Sequence, residues 1–121
     1  DNFFLLPPLG YPGFIWTMLK SNIIITDSGG VQEEAPALGK PVLVTRKKSE
    51  RPEAIDAGVV RLVGDDRETI VKEAVQLLKD ENHYREMSRG TSPYGDGKAS
   101  ERILDVLAGI PVTPFKGFNS D

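Results

Sequence analysis

Cysteine is absent from the 121 residues. That excludes disulfides and thiolate-ligated metals and fits a reducing cytosol. Histidine occurs once, at His83, which leaves few ways to build a metal site or a histidine-based catalytic triad. No apolar run approaches the roughly 20 residues that a membrane-crossing helix needs. The acidic start DNFF does not read as a signal peptide. Charge of one sign is also scarce: 15 basic against 18 acidic residues give a net charge of −3. An excess so mild and so dispersed favours neither nucleic acid nor an anionic membrane as partner. The length suits one domain with a real hydrophobic core and is marginal for two. A soluble, cytoplasmic α/β domain is the class that remains.

What is present alternates in a regular way. Residues 3–6 (FFLL) form a short apolar run stopped by Pro7 and Pro8, read as a strand. In YPGFIWTMLKS, Phe14, Ile15, Met18 and Leu19 fall at helical spacing, and Pro12 stands where a helix start tolerates it. Residues 23–26 are a continuous β-branched run, the mark of a strand covered on both faces. Residues 31–38 are expected to be helical, with a kink at Pro36 and a stop at Gly39. PVLV and VVRLV supply two further strands, separated by the loop TRKKSERPEAIDAG. Asp66 is placed to cap a helix whose apolar stripe is Ile70, Val71, Ala74, Val75, Leu77 and Leu78. A second stripe, Ala99, Ile103, Leu104 and Leu107, follows YGDG. The sequence divides into residues 1–109, a nucleotide-binding portion by the argument below, and an irregular tail over 110–121.

Strand–helix alternation predicts a Rossmann-like parallel sheet with flanking helices and right-handed crossovers. In such sheets ligands sit beyond the carboxyl ends of the strands, and that is where TDSGG falls. Gly29 and Gly30 allow close approach of the backbone. The first amides of the next helix have no intrahelical partner, and the dipole adds about 0.3–2 kcal/mol for an anion. Ser28 can add a hydroxyl donor. A plain strand-to-helix turn would also use two glycines, but Glu34 lies four residues after Gly30 and so returns to the same helical face. A carboxylate beside an anion site makes sense if it accepts hydrogen bonds from the neutral part of the same ligand, such as the paired hydroxyls of a ribose. Glu33 points about 100° away on a helix and is read as solvated. The stretch therefore suits a nucleotide, with amides for phosphate and a carboxylate for sugar.

The loop after the next strand carries Arg46, Lys47, Lys48 and Arg51 to the same edge of the sheet. Arg51 suits a diphosphate because the guanidinium fork matches phosphate oxygens, while Lys47 and Lys48 read as solvated loop charge. Pro52 and Glu53 can open a short helix. Phe14 and Trp16 are either core or a ring that covers a base. His83 lies in DENHYREM and reads as a surface helix residue.

DSGGVQEEAPALGKPVLVTRKKSERPEAIDAGVVRLVG, with SPYGDGKASERIL further on, resembles the C-terminal part of the non-hydrolysing UDP-N-acetylglucosamine 2-epimerases. The likeness runs over residues 5–107. It rests on the contiguous D-S-G-G-x-Q-E-E-A-P, E-R-P-E and P-Y-G-D-G motifs. The departures are KKS at 47–49, where the family more usually has an acidic or polar residue and then two threonines, and GYPG around Tyr11. The resemblance implies a GT-B fold, two Rossmann-like domains with the active site between them, of which this chain is part of the C-terminal one. It implies interconversion of UDP-N-acetylglucosamine and UDP-N-acetylmannosamine with no redox cofactor. The C2 proton is abstracted, UDP is eliminated to give a glycal, and UDP adds back after reprotonation from the other face.

By the same resemblance Ser28, Gly29 and Gly30 hold the diphosphate, Glu34 the ribose, Arg51 the nucleotide, and Phe14 lies near the uracil. The carboxylates and the histidine of the proton chemistry belong to parts of the family's chain with no counterpart here, so no catalytic residue is expected in this chain. Its partners are expected to be the UDP-sugar and the N-terminal domain of the same enzyme, and full-length members are expected to be homodimers. Two other readings compete. One is the donor domain of a GT-B glycosyltransferase, against which SERPE and SPYGDG argue. The other is a non-catalytic nucleotide-sugar binding module.

Overall fold

The computed structural model describes residues 2–90 and 92–115; the part of the tail beyond 115 lies outside them. The chain runs α1 (Tyr11–Lys20), β1 (Ile24–Thr26), α2 (Gly29–Ala37), β2 (Val42–Val44), α3 (Pro52–Asp56), β3 (Val60–Leu62), α4 (Arg67–Lys79), α5 (Glu81–Met87) and α6 (Ala99–Leu107). The three strands pair in parallel in the order β1-β2-β3, with Ile25 opposite Leu43 and Leu43 opposite Arg61. The parallel sheet with flanking helices expected from the sequence is present.

Side chains on β2 alternate between the two faces. Val42 and Val44 join Met18, Val31, Ala35 and Ala54 in one buried cluster, so α1, α2 and α3 cover that face. Leu43 joins Val63, Leu77 and Met87 in the other, beneath α4 and α5. All three β2 residues are fully buried, as the middle strand of a two-sided sheet must be. Truncating such a residue, Leu43→Ala for example, costs about 2–5 kcal/mol.

Several expectations give way to packing. Residues 3–6 form no strand, and Phe3, Phe4 and Leu5 are each at least 80% exposed. Among the described residues no neighbouring strand lies alongside to take up their backbone groups. The strand expected over residues 23–26 begins at Ile24 and is not covered on both faces: Ile25 is 50% exposed. β1 is an edge strand of the sheet, and the α4–α5 layer lies over β2. Pro36 stands in the last turn of α2, which ends one residue later. Leu38 N donates to the Ala35 carbonyl at 3.1 Å and Gly39 follows at φ +69°, a conformation that favours glycine.

On α4, Asp66 caps as expected and accepts from Thr69 N at 2.8 Å. The stripe divides: Ile70, Ala74 and Leu77 pack inward, while Val71, Val75 and Leu78 face out. α6 buries none of its residues, and Ile103, Leu104 and Leu107 are exposed. The tail is tied back where Arg102 Nε donates to the Thr113 carbonyl at 3.1 Å. Among the described residues no helix is long and apolar enough to cross a membrane.

Candidate nucleotide-binding site

β1 ends at Thr26, and the turn that follows is fixed by its own side chains. Ser28 N donates to Thr26 Oγ1 at 3.0 Å. Ser28 then caps α2, its Oγ accepting from Val31 N at 3.4 Å. The helix starts at Gly29, two residues earlier than the sequence suggested, because the serine cap makes the glycines its first two residues. Among the described residues the amides of Gly29 and Gly30 have no partner, as expected for the first turn of a helix. That turn holds no acidic residue. The Ser28 hydroxyl accepts from the helix and keeps its proton to donate outward.

Neither glycine needs left-handed backbone. A Cβ on Gly30 would meet only Ser28 Oγ, at 3.9 Å, and one on Gly29 would meet Glu50 Oε1 at 3.2 Å. The flexible, exposed Glu50 carboxylate, 3.5 Å from Arg46, is therefore what stands over the turn. The glycines leave the face of the turn open without being demanded by its shape.

Glu34 is half-buried one turn into α2 and accepts from Tyr11 Oη at 3.3 Å. This joins the start of α1 to α2. Phe14, one turn after Tyr11, lines a cleft of about 280 Å³ together with Thr17, Ile25, Thr26 and Val31. Trp16 is exposed and is not core.

Arg51 arrives from the loop after β2, and its Nε donates to Glu33 Oε1. That corrects the reading of Glu33 as merely solvated. The hydrogen bond that Arg51 donates to Glu33 raises the Arg51 pKa above its ordinary value. Lys47 turns away to Asp65 at 3.1 Å, which lowers the pKa of that carboxyl.

The sequence reading missed Gln32, Ser49 and Tyr94. Gln32 is fully buried, donates to the Ser28 carbonyl at 3.2 Å and accepts from Ser49 Oγ at 2.6 Å. Ser49 Oγ in turn accepts from Arg51 N at 3.0 Å. The available signal was position: Gln32 sits four residues after Ser28 and so shares its helical face. Tyr94 packs against the core, and among the described residues its Oη is buried without a hydrogen-bond partner of good geometry. Burial raises its pKa, with Glu53 and Glu33 adding to the effect.

His83 is on a helix, as expected, but it is half-buried and not a surface residue. Its Nε2 is buried and unpartnered among the described residues, and it lines a cleft with Arg61, Glu86 and Met87 beside β3. The glycine turn belongs to the other outer strand of the sheet, β1. In the YGDG motif, Asp96 accepts from the two terminal guanidinium nitrogens of Arg102 at 2.7 and 2.8 Å and from Lys98 N at 3.1 Å. Arg102 holds the Asp96 carboxyl well below the usual carboxylate range. The motif is a brace between the loop and α6. Among the described residues no group of three or more His, Cys, Asp or Glu could hold a metal ion.

Comparison with known proteins supplies the wider setting. The family model for UDP-N-acetylglucosamine 2-epimerase matches residues 1–108. The chain is 58% identical over 106 residues to a UDP-N-acetylglucosamine 2-epimerase of Escherichia coli K12, covering 88% of this chain and 28% of the relative. It is 54% identical over 107 residues to the Campylobacter jejuni enzyme of the same name, again covering 88% of this chain and 28% of the relative. Among solved structures, the UDP-GlcNAc 2-epimerase of Neisseria meningitidis bound to UDP-GlcNAc superposes with a TM-score of 0.82 at 47% identity, over 90% of this chain and 30% of that one. S. aureus MnaA, solved with UDP, gives 0.83 at 40% identity, over 98% of this chain and 33% of that one. The chain thus spans under a third of the length of these curated relatives.

Proposed function

The chain belongs to the UDP-N-acetylglucosamine 2-epimerase family, and from that premise we propose that it is the UDP-binding, C-terminal portion of such an enzyme. One arrangement carries the reading. Two unpartnered glycine amides and a serine hydroxyl stand at the head of α2, Glu34 lies one turn further on, and Arg51 arrives from the neighbouring loop. The amides, Ser28 and Arg51 hold the diphosphate. Glu34 accepts from the ribose hydroxyls, with Tyr11 orienting its carboxylate. Phe14 covers the uracil from α1. Glu50 swings aside, which its exposure permits.

In the reaction the C2 proton of the sugar passes to a base and the C1–O bond breaks, giving a glycal and UDP. Reprotonation of C2 from the opposite face and re-addition of UDP at C1 give the epimer. The route runs through proton removal and elimination with no oxidised intermediate, so it calls for no redox cofactor. This chain's work is to hold UDP in place through both half-reactions, so that the leaving group is still positioned for its return. The base and acid belong to the remaining domain, and the exposed apolar residues of α6 and of residues 3–6 suit burial against further protein. Homodimerisation of the full-length enzyme and a cytoplasmic location are parts of the same proposal.

A base within hydrogen-bond reach and an acid on the opposite face are both required. The chain on its own is therefore expected to bind the nucleotide and catalyse nothing. Incubation with UDP-N-acetylglucosamine in deuterated water tests this: no deuterium should enter C2. The full-length enzyme, with no acceptor present, should exchange C2 and form the manno epimer. Deuterium at C2 with the purified 121-residue chain would place the catalytic groups here and overturn the division of labour.

A further inference from the structure

Gln32 is the buried polar residue of the described core, with no exposed surface at all. Its bonds have a direction fixed by chemistry. The Ser28 carbonyl can only accept, so the Gln32 amide must turn its NH₂ toward it, at 3.2 Å. The Gln32 oxygen then faces Ser49, whose hydroxyl must spend its single proton there, at 2.6 Å. That leaves the Ser49 oxygen as acceptor for Arg51 N, at 3.0 Å. The last backbone bond between the neighbouring strand ends is Thr45 N to the Thr26 carbonyl, at 2.9 Å. Beyond it, among the described residues, the two loops are joined only through side chains: this chain of bonds and the Glu33–Arg51 ion pair.

We propose that Gln32 and Ser49 form a positioning relay that sets the glycine turn and Arg51 at one fixed separation, so that a diphosphate meets amides and guanidinium together. The inference deepens the UDP-binding reading and rests on it. It also gives the serine at 49 a role. The Ser49 hydroxyl is the group the relay uses. Both residues are positioning residues and neither touches the nucleotide. A buried amide that merely satisfied the helix start would affect all ligands alike. A relay that sets spacing affects only those that bridge both loops.

The test compares UDP with uridine, which has the base and ribose but no diphosphate, on the 121-residue chain, with titration calorimetry for UDP and ligand-observed NMR for uridine. Ser49→Ala should lower UDP affinity by about tenfold or more while changing uridine affinity by less than about twofold. Ser49→Thr should restore UDP binding. Should Ser49→Ala not fold, Gln32→Asn, which keeps the amide but shortens its reach, is read the same way. Unchanged UDP affinity in the folded variant, or equal losses for UDP and uridine, would overturn the relay while leaving the UDP site standing. Failure of the wild-type chain to bind UDP would overturn both.

Discussion

Arg51 and Glu33 form an ion pair across the gap between the loop after β2 and the helix after β1. The pair gives the cation proposed to meet phosphate a carboxylate neighbour, and removing either member has a different consequence. Arg51→Ala removes a guanidinium and leaves an unpaired carboxylate beside the anion site, so it should weaken UDP by about tenfold or more. Adding Glu33→Gln should recover part of that loss, since the repelling charge goes with it. Calorimetric titration of the single and double variants checks the order. A double variant that binds more weakly than Arg51→Ala would show that Glu33 helps the ligand directly.

The glycine turn separates stability from binding. A Cβ on Gly30 has room, and its backbone is ordinary helix. Gly30→Ala should thus raise stability by about 0.4–1 kcal/mol and yet lose UDP and pyrophosphate binding, by about tenfold or more, because the methyl occupies the space a phosphate oxygen needs. Thermal denaturation and calorimetry on the same sample decide the matter. Unimpaired binding in a stabilised Gly30→Ala protein would reduce the glycines to a turn.

In the proposed site Glu34 takes the sugar end. Glu34→Ala should weaken UDP by about tenfold or more, the scale of hydrogen bonds to a charged group. Pyrophosphate, which has no ribose, should bind as before or slightly better once a negative charge is gone. Equal losses for the two ligands would remove Glu34 from the ribose role.

The Asp96–Arg102 brace predicts a pH dependence of stability. Arg102 lowers the folded-state pKa of Asp96, so the brace contributes above the ordinary carboxylate pKa of about 3.9 and is lost as pH falls through the lowered value. Asp96→Asn should lower Tm at pH 7. The gap from wild type should narrow as the pH drops below about 4. A gap independent of pH would mean that the carboxylate charge plays no part.

The sequence reveals the sheet and the turn for a physical reason. Residues 41–44 and most of 59–63 are enclosed between the two helical layers, so apolar runs bounded by glycine and proline report them directly. Residues 3–6 look equally like a strand, but a strand needs a partner, and pattern alone cannot supply one. α6 shows the same gap: its stripe predicts a helix correctly, while among the described residues nothing buries that stripe. At the site, Ser28, Gly29, Gly30 and Glu34 are legible because one helix turn relates them. Gln32, Ser49 and the Glu33–Arg51 pair escaped because they join segments that only the β1–β2 pairing brings together.

Where UDP lands on the chain is the most direct measurement. Titrating UDP into the isotope-labelled 121-residue chain and following backbone amide shifts should move Gly29, Gly30 and Val31 most, together with Glu34, Arg51 and Phe14. Pyrophosphate should reproduce the glycine and Arg51 shifts alone. Shifts confined to the cleft lined by Arg61 and His83, or no shifts at millimolar UDP, would contradict the assignment of this chain as the nucleotide-binding portion.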